Sequence, residues 1–267
     1  AWGDPADWRA IAPADGEDAL EALRTAAASG ARTVFLPASG LEFRGGFKVP
    51  ATLDRIIGCE RSPAKTSDWT IVVDEPSQRP LVIERFDTIY ARTAVVLTAA
   101  RPVVVSSLNL DRIVVEEGAG PLFVEDCIVR LLDLAPGTQC WARQINMEYV
   151  KDSRAHARNL GGRFWCFGFK NEGDATMVET SANGQTEMHA YVLANKATPS
   201  EQKPPLFVVE AGTLALTLGE AVGRKQPYAV IARTPSAAFT RERTEKRGNG
   251  GSAIGLLEVV VTPADAR

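Results

Sequence analysis

Apolar residues along most of the chain come in short runs that are separated by turn-forming residues. The runs are rich in Val, Ile, Leu and Phe, and they are bounded by Gly, Pro, Asn or Asp. Such a pattern is typical of β-strands. It predicts strands at residues 33–37, 55–58, 70–73, 81–84, 103–105, 113–115, 122–124, 206–209 and 228–231.

One segment near the N-terminus has helical spacing instead. Leu20 and Leu23 lie on one face of a helix, and Asp18 supplies a capping oxygen and a negative charge near its start. Gly30 follows as a typical terminator. We predict a helix over residues 15–30.

Near copies of short segments recur along the chain, which indicates a repeat architecture. Three of them begin at Pro80, Pro121 and Pro205, so their starts lie 41 and 84 residues apart, close to two and four units of about 21. Another pair begins at Trp141 and Trp165, with an offset of 24. A period of this length without recurring helices predicts a parallel β-helix, in which stacked coils bury a continuous core.

Hairpin signals are sparse, which favours the β-helix over a β-sandwich. Asn-Gly pairs, the usual hairpin turns, occur only at Asn183 and Asn249. We predict a single domain whose N-terminal helix caps the open end of the stack. Its parts are the capping helix at 15–30, the coils at 31–235, a charged loop at 240–251, and a terminal strand and tail at 252–267.

Composition narrows the range of partners. Apolar residues make up 45% of the chain, enough for a continuous core, and the formal net charge of −3 argues against nucleic-acid binding. No apolar run approaches the roughly 18 residues of a membrane span. The four cysteines form no CxxC pair and there are only two histidines, which argues against zinc. We expect small buried thiols, and the sequence leaves disulfides open.

Two stretches of the chain resemble a known family. One is the opening helix followed by GARTVFLPA and VPATLDRIIG, and the other is CWARQINME with the later LGGRFWCFGFKNEGDATMVE. Together they resemble right-handed β-helix proteins of the pectate-lyase superfamily, which includes the polygalacturonase-type family 28 glycoside hydrolases. The resemblance covers roughly residues 15–235. It implies a right-handed parallel β-helix, export from the cell or display on its surface, and association with polysaccharide.

The catalytic elements of the family 28 hydrolases are not found in this chain. It contains no Asp-Asp, Gly-His-Gly or Arg-Ile-Lys element, and both histidines precede an alanine. The resemblance therefore carries the fold across and does not supply an active site.

Charged residues in the two tryptophan-containing segments are the candidates for catalysis. The repeat alignment stacks Glu148 on Glu172 and places Arg143, Lys170 and Glu187 nearby. Two carboxylates held about 5–10 Å apart suit glycoside hydrolysis. A carboxylate pair beside a basic residue suits elimination instead, and calcium would be the cofactor in that case. The alternative is that all of these are solvated residues at strand ends.

Aromatic residues in the same segments have two interpretations. Trp141, Trp165, Phe167 and Phe169 form either a sugar-stacking platform or the inward face of two coils. Continuation of the pattern into aliphatic residues favours the inward face. Arg143 shares the phase of Trp141, so either a bulge resets the alternation or that face is partly open.

Substrate contacts are expected from Trp141, Glu187 and His189. The histidine lies on the phase opposite to Met188 and is expected to face solvent.

Three functions are compatible with this sequence. The first is a secreted or cell-surface glycoside hydrolase or polysaccharide lyase that works in a groove on the outer wall. The second is a non-catalytic carbohydrate-binding or adhesion module, and the third is a self-assembling structural subunit. A homo-oligomer is compatible with each of them. Exposed aromatic residues without a cluster of carboxylates would favour the second.

Overall fold

A computed structural model describes most of the chain. It covers residues 4–13, 17–37, 40–59, 64, 66–86, 92–147, 155–193, 198–222, 226–243, 245–246 and 252–262. The chain divides into two compact units, residues 1–127 and 128–267. The prediction of a single domain stays a prediction, and each unit is described by itself.

The fold is a parallel β-solenoid of about eight turns, which confirms the predicted class. The first nine strands are β1 (Trp8–Ala10), β2 (Thr33–Leu36), β3 (Arg44–Lys48), β4 (Arg55–Gly58), β5 (Asp68–Val73), β6 (Leu81–Phe86), β7 (Arg92–Leu97), β8 (Val103–Val115) and β9 (Leu122–Leu134). The next six are β10 (Gln139–Met147), β11 (Ala155–Leu160), β12 (Arg163–Glu172), β13 (Thr176–Ser181), β14 (Gly184–Leu193) and β15 (Phe207–Val209). The remaining five are β16 (Gly212–Ala221), β17 (Val230–Arg233), β18 (Ala238–Thr240), β19 (Glu245–Lys246) and β20 (Ser252–Val261).

The α-helix of the first unit is shorter than its prediction. Helix α1 spans Ala19–Ala28; the Asp18 side chain accepts a hydrogen bond from the backbone N–H of Leu20, and Ser29 is the C-terminal cap. Leu20 and Leu23 are fully buried, and the helix packs on β1, β2 and β3. The apolar face of α1 therefore covers the first strands of its unit, as a cap does.

Strands of the first unit pair in two parallel series. One series follows β1, β2, β4, β6 and the first half of β8, and the other follows β3, β5, β7 and the second half of β8. Residues 103–105 and 113–115, predicted as separate strands, therefore belong to one strand. It turns at Ser107, whose φ of 52° lies in the left-handed region.

Strands of the second unit pair in two further series. Strands β10, β12, β14 and β16 are parallel neighbours, and so are the end of β9, β11, β13, β15 and β17. Each series then ends in a reversed strand, because β20 pairs antiparallel with β16 and β18 pairs antiparallel with β17.

The offset of 24 residues between the two tryptophan segments is the register in which β10 pairs with β12. Trp141 pairs with Trp165, and the pairing continues to Met147 with Asn171. The sequence spacing of 23 between Trp165 and Met188 is not a register, because Met188 pairs with Cys166.

One smaller expectation is corrected. Cys127, Cys140 and Cys166 are buried as expected, but Cys59 is exposed, and none of the four is in a disulfide. In the charged loop at 240–251, the Arg241 side chain forms an ion pair with the buried Glu220 at 3.2 Å.

Candidate functional site

Aromatic side chains gather on the outer face of β10, β12 and β14. Neighbouring residues of a strand point to opposite faces, so Ala142, Cys166 and Met188 face the core while the residues beside them face outward. We call this surface the aromatic wall. Its members are Trp141, Trp165, Phe167, His189 and Tyr191.

Two ladders of stacked rings make up most of the aromatic wall. The indoles of Trp141 and Trp165 lie with their centroids 5.0 Å apart and their planes 10° from parallel. Two residues further along the strands, the rings of Phe167 and His189 lie 4.9 Å apart at 23°. The parallel pairing holds equivalent residues one strand spacing apart, about 4.8 Å, which is what allows the rings to stack.

Phe167 and Tyr191 are the exposed hydrophobic side chains of the aromatic wall. Their exposed fractions are 44% and 52%, large for apolar side chains that flank well-packed neighbours. Gly219 pairs with Tyr191, and a Cβ on Gly219 would lie 3.2 Å from Cδ2 of that tyrosine. The glycine therefore leaves space for the Tyr191 ring on the surface of the sheet.

A hydrogen bond fixes the ring of His189. Its Nδ1 lies 2.7 Å from the hydroxyl oxygen of Thr217, the residue paired with it on β16. Stacking on Phe167 holds one side of the ring. The histidine faces solvent, as its phase relative to Met188 predicted.

Polar side chains lie beside the rings on the same surface. Glu187 extends the tryptophan ladder, since it pairs with Trp165, and Arg143 begins the other ladder, since it pairs with Phe167. Lys170 pairs with Asn146 on one side and with Tyr191 on the other. The surface therefore offers both hydrogen-bond donors and acceptors next to apolar rings.

The proposed carboxylate pair is only partly described. Glu148 lies outside the described residues. The backbone of Glu172 pairs with Leu193 at the end of β12, but its side chain is outside the described part. Arg143 pairs with Phe167, whereas Lys170 pairs with Asn146. The structure therefore does not bring Arg143 and Lys170 together in one row.

Metal binding finds no support in the described part of the chain. Within it, no group of three or more His, Cys, Asp or Glu side chains is arranged to hold an ion.

The inward assignment of the aromatic group is wrong for three of its four members. Trp141 and Trp165 are only half-buried and Phe167 is exposed, whereas Phe169 is fully buried. Extra residues in the left-handed region, Gln144 at φ 53° and Gly168 at φ 83°, reset the alternation after the outward-facing residue. The register of β12 against β14 shifts at the same point.

Sequence reasoning missed Tyr191 as a member of the surface. Tyr191 lies two residues after His189, so the alternation that placed His189 outward also places Tyr191 outward. That signal was available in the sequence.

Comparison with models of protein families, with curated proteins and with solved structures finds no match to this chain. Among the helices in the described ranges, none combines the length and apolar character that a bilayer crossing requires.

Proposed function

We propose that this protein binds a carbohydrate chain on the aromatic wall of its second unit and works as a secreted or cell-surface binding module. The observation that carries the proposal is the exposure of aromatic rings in two ladders beside polar side chains. Sugars present C–H groups on their ring faces and hydroxyls at their edges. A surface that alternates aromatic rings with amide, guanidinium and carboxylate groups suits both.

The mode of contact follows from the spacing of the rings. Rings about 5 Å apart leave no room for a sugar between them. The ligand would therefore run along the ring edges and rest on the exposed parts of Phe167 and Tyr191. Because the ladders cross the strands, the bound carbohydrate would extend over several coils of the protein.

Two further points support a binding module over an enzyme. The described outward side chains of β10, β12 and β14 include one carboxylate, that of Glu187, whereas hydrolysis of glycosides needs two. The resemblance of residues 15–235 to right-handed β-helix proteins of the pectate-lyase superfamily supports association with polysaccharide.

The test is binding to a panel of insoluble plant, algal and bacterial polysaccharides. The double variant Phe167→Ala/Tyr191→Ala should bind at least tenfold more weakly than the parent protein, a loss of about 1.4 kcal/mol. Phe123→Ala is a matched control, because Phe123 is a phenylalanine of similar exposure, 40%, in the first unit. It should bind as the parent does.

Two outcomes contradict this proposal. Equal binding by the double variant would remove the aromatic wall from the site. New reducing ends, or unsaturated uronides that EDTA abolishes, would indicate a hydrolase or a calcium-dependent lyase, and loss of that turnover in Glu172→Gln would assign it to the carboxylate pair.

A further inference from the structure

A concave site lies in the second unit, on strands other than those of the aromatic wall. A cavity of about 580 Å³ opens where β13, β15 and β17 end. Its lining includes Ser181, Val208, Glu210 and Arg233. Cavities of this size hold small organic molecules.

A row of paired residues leads to the cavity, and its first three members alternate in charge. Asp133 pairs with Arg158, Arg158 with Glu179, Glu179 with Val208, and Val208 with Arg233. The guanidinium of Arg158 donates two hydrogen bonds to the Asp133 carboxylate, at 2.6 and 2.7 Å. The charges of Asp133 and Arg158, the first two residues of the row, therefore neutralise each other in a two-bond ion pair.

Arg233 ends the row without such a pair. The residue paired with it is Val208, which carries no charge, and the nearest carboxylate of the row, that of Glu179, is two strands away. Arg233 is exposed, and it forms no ion pair with any other side chain in the described ranges. A guanidinium that lines a cavity and lacks a carboxylate partner is available to an anionic ligand.

The backbone around the cavity is held in place. Ala182 and Asn183 turn the chain with φ of 50° and 66°, and the Asn183 N–H donates to the carbonyl of Ala211 at 3.0 Å. The Glu210 N–H donates to the carbonyl of Thr180 at 2.9 Å. Ser181 and Glu210 therefore line the cavity from fixed backbone positions, as a preformed site requires.

We propose that this cavity binds a small organic acid that carries a hydrogen-bond donor next to its carboxylate and a short apolar group. The Arg233 guanidinium would take the carboxylate in two parallel hydrogen bonds. Glu210 would accept from the neighbouring ammonium or hydroxyl, and Val208 and Pro235 would contact the apolar group. This inference does not rest on the proposed carbohydrate site.

The test uses four ligands of nearly equal shape, followed by calorimetry or by ligand-observed NMR. They are leucine, 2-hydroxy-4-methylpentanoate, 4-methylpentanoate and leucinamide. The first two should bind, 4-methylpentanoate should bind at least tenfold more weakly because it lacks the donor, and leucinamide should not bind because it lacks the carboxylate. The stronger of the first two tells whether the natural donor is an ammonium or a hydroxyl.

Variants assign the binding to the cavity. Arg233→Gln should weaken leucine binding at least tenfold, and Glu210→Gln should weaken it as well. Arg9→Gln is the matched control, because Arg9 is an exposed arginine of the first unit, and it should bind as the parent does. Binding of none of the four ligands, equal binding of 4-methylpentanoate and leucine, or unchanged binding by Arg233→Gln would each overturn the proposal.

Discussion

Arg101 shows how a single charged side chain is used inside the first unit. Its side chain is fully buried, and its guanidinium donates to the backbone carbonyls of Arg79, Pro50 and Leu53. Burial lowers the pKa of Arg101, and the Asp54 carboxylate at 3.9 Å opposes that effect. Pro50 and Leu53 lie in one turn and Arg79 lies in another, so one buried arginine links two turns of the unit through their backbone carbonyls.

The close approach of the Arg101 backbone requires a glycine at position 120. Its N–H donates to the carbonyl of Ala99 at 3.0 Å, and a Cβ at this position would lie far inside van der Waals distance of the Arg101 backbone. Gly120→Ala should therefore lower the free energy of unfolding by about 3 kcal/mol, because the clashing atoms are main chain and cannot rotate away.

The control for that change is Gly46→Ala. Gly46 lies in β3, and a Cβ there would meet nothing within 4 Å. Urea denaturation of both variants should show a loss only for Gly120→Ala. Equal stability of the two would mean that the turns around Arg101 can move apart freely.

In the tryptophan segments, the sequence predicted which side chains share a face of the strand, but it did not predict which face is the core. A period of two fixes which side chains share a face, and it does not say which face is the core. Small residues, Cys140 and Ala142, occupy the inward positions beside Trp141. Arg143, which shares the phase of Trp141, was a sign in the sequence that this face meets solvent.

At the scale of the element, the tryptophan ladder links β10 to β12. Trp165 is half-buried, so Trp165→Ala should lower the free energy of unfolding by about 1–2 kcal/mol. Phe169→Ala, on the same strand but fully buried, should cost about 3–5 kcal/mol. The order of the two losses follows from their burial.

A double-mutant cycle isolates the stacking itself. Trp141→Ala and Trp165→Ala should show a coupling energy of about 1 kcal/mol, since their rings are nearly parallel at 5.0 Å. Strictly additive losses in thermal or urea unfolding would mean that the rings contribute only through the area that each buries against the sheet.

Strand positions were predicted better than strand ends. The predicted strand at residues 55–58 has the bounds of β4, because polar and turn-forming residues flank it closely. Strands β8 and β9 were predicted much too short, because Ser107 and Asp126 change the backbone direction without interrupting the pairing. A left-handed residue other than glycine gives little signal in a sequence.

At the scale of the whole molecule, the thiols report on the folding of each unit. Burial raises the pKa of Cys127 and of Cys166 to about 12, and it also raises the pKa of Cys140. These three thiols stay protonated and inaccessible at pH 8, whereas Cys59 is exposed. Cys127 lies in the first unit, and Cys140 and Cys166 lie in the second.

Titration with a thiol reagent at pH 8 should therefore modify Cys59 alone in the native protein. All four cysteines should react in denaturant, because unfolding exposes the three buried thiols and removes the cause of their raised pKa. Mass mapping during slow unfolding gives the order in which the units open. Rapid native labelling of Cys140 or Cys166 would contradict the packing of the second unit.

The solenoid class was predictable because similar segments recur along the sequence, whereas the cavity in the second unit was not. Stacked coils need similar residues at similar positions, and the offset of 24 between Trp141 and Trp165 proved to be the pairing register. The cavity beside Arg233 had no such signal, since its lining comes from three strands and the turns after them. Only the fold brings those residues to one place.

The reversed strands β18 and β20 have a consequence for self-association. A stack of parallel coils is a template on which an identical chain can deposit in the same direction, as happens in fibril growth. Such a copy would meet strands that run the opposite way, so identical residues could not continue in line. Strands β18 and β20 thus break the parallel register that head-to-tail deposition of an identical coil would need.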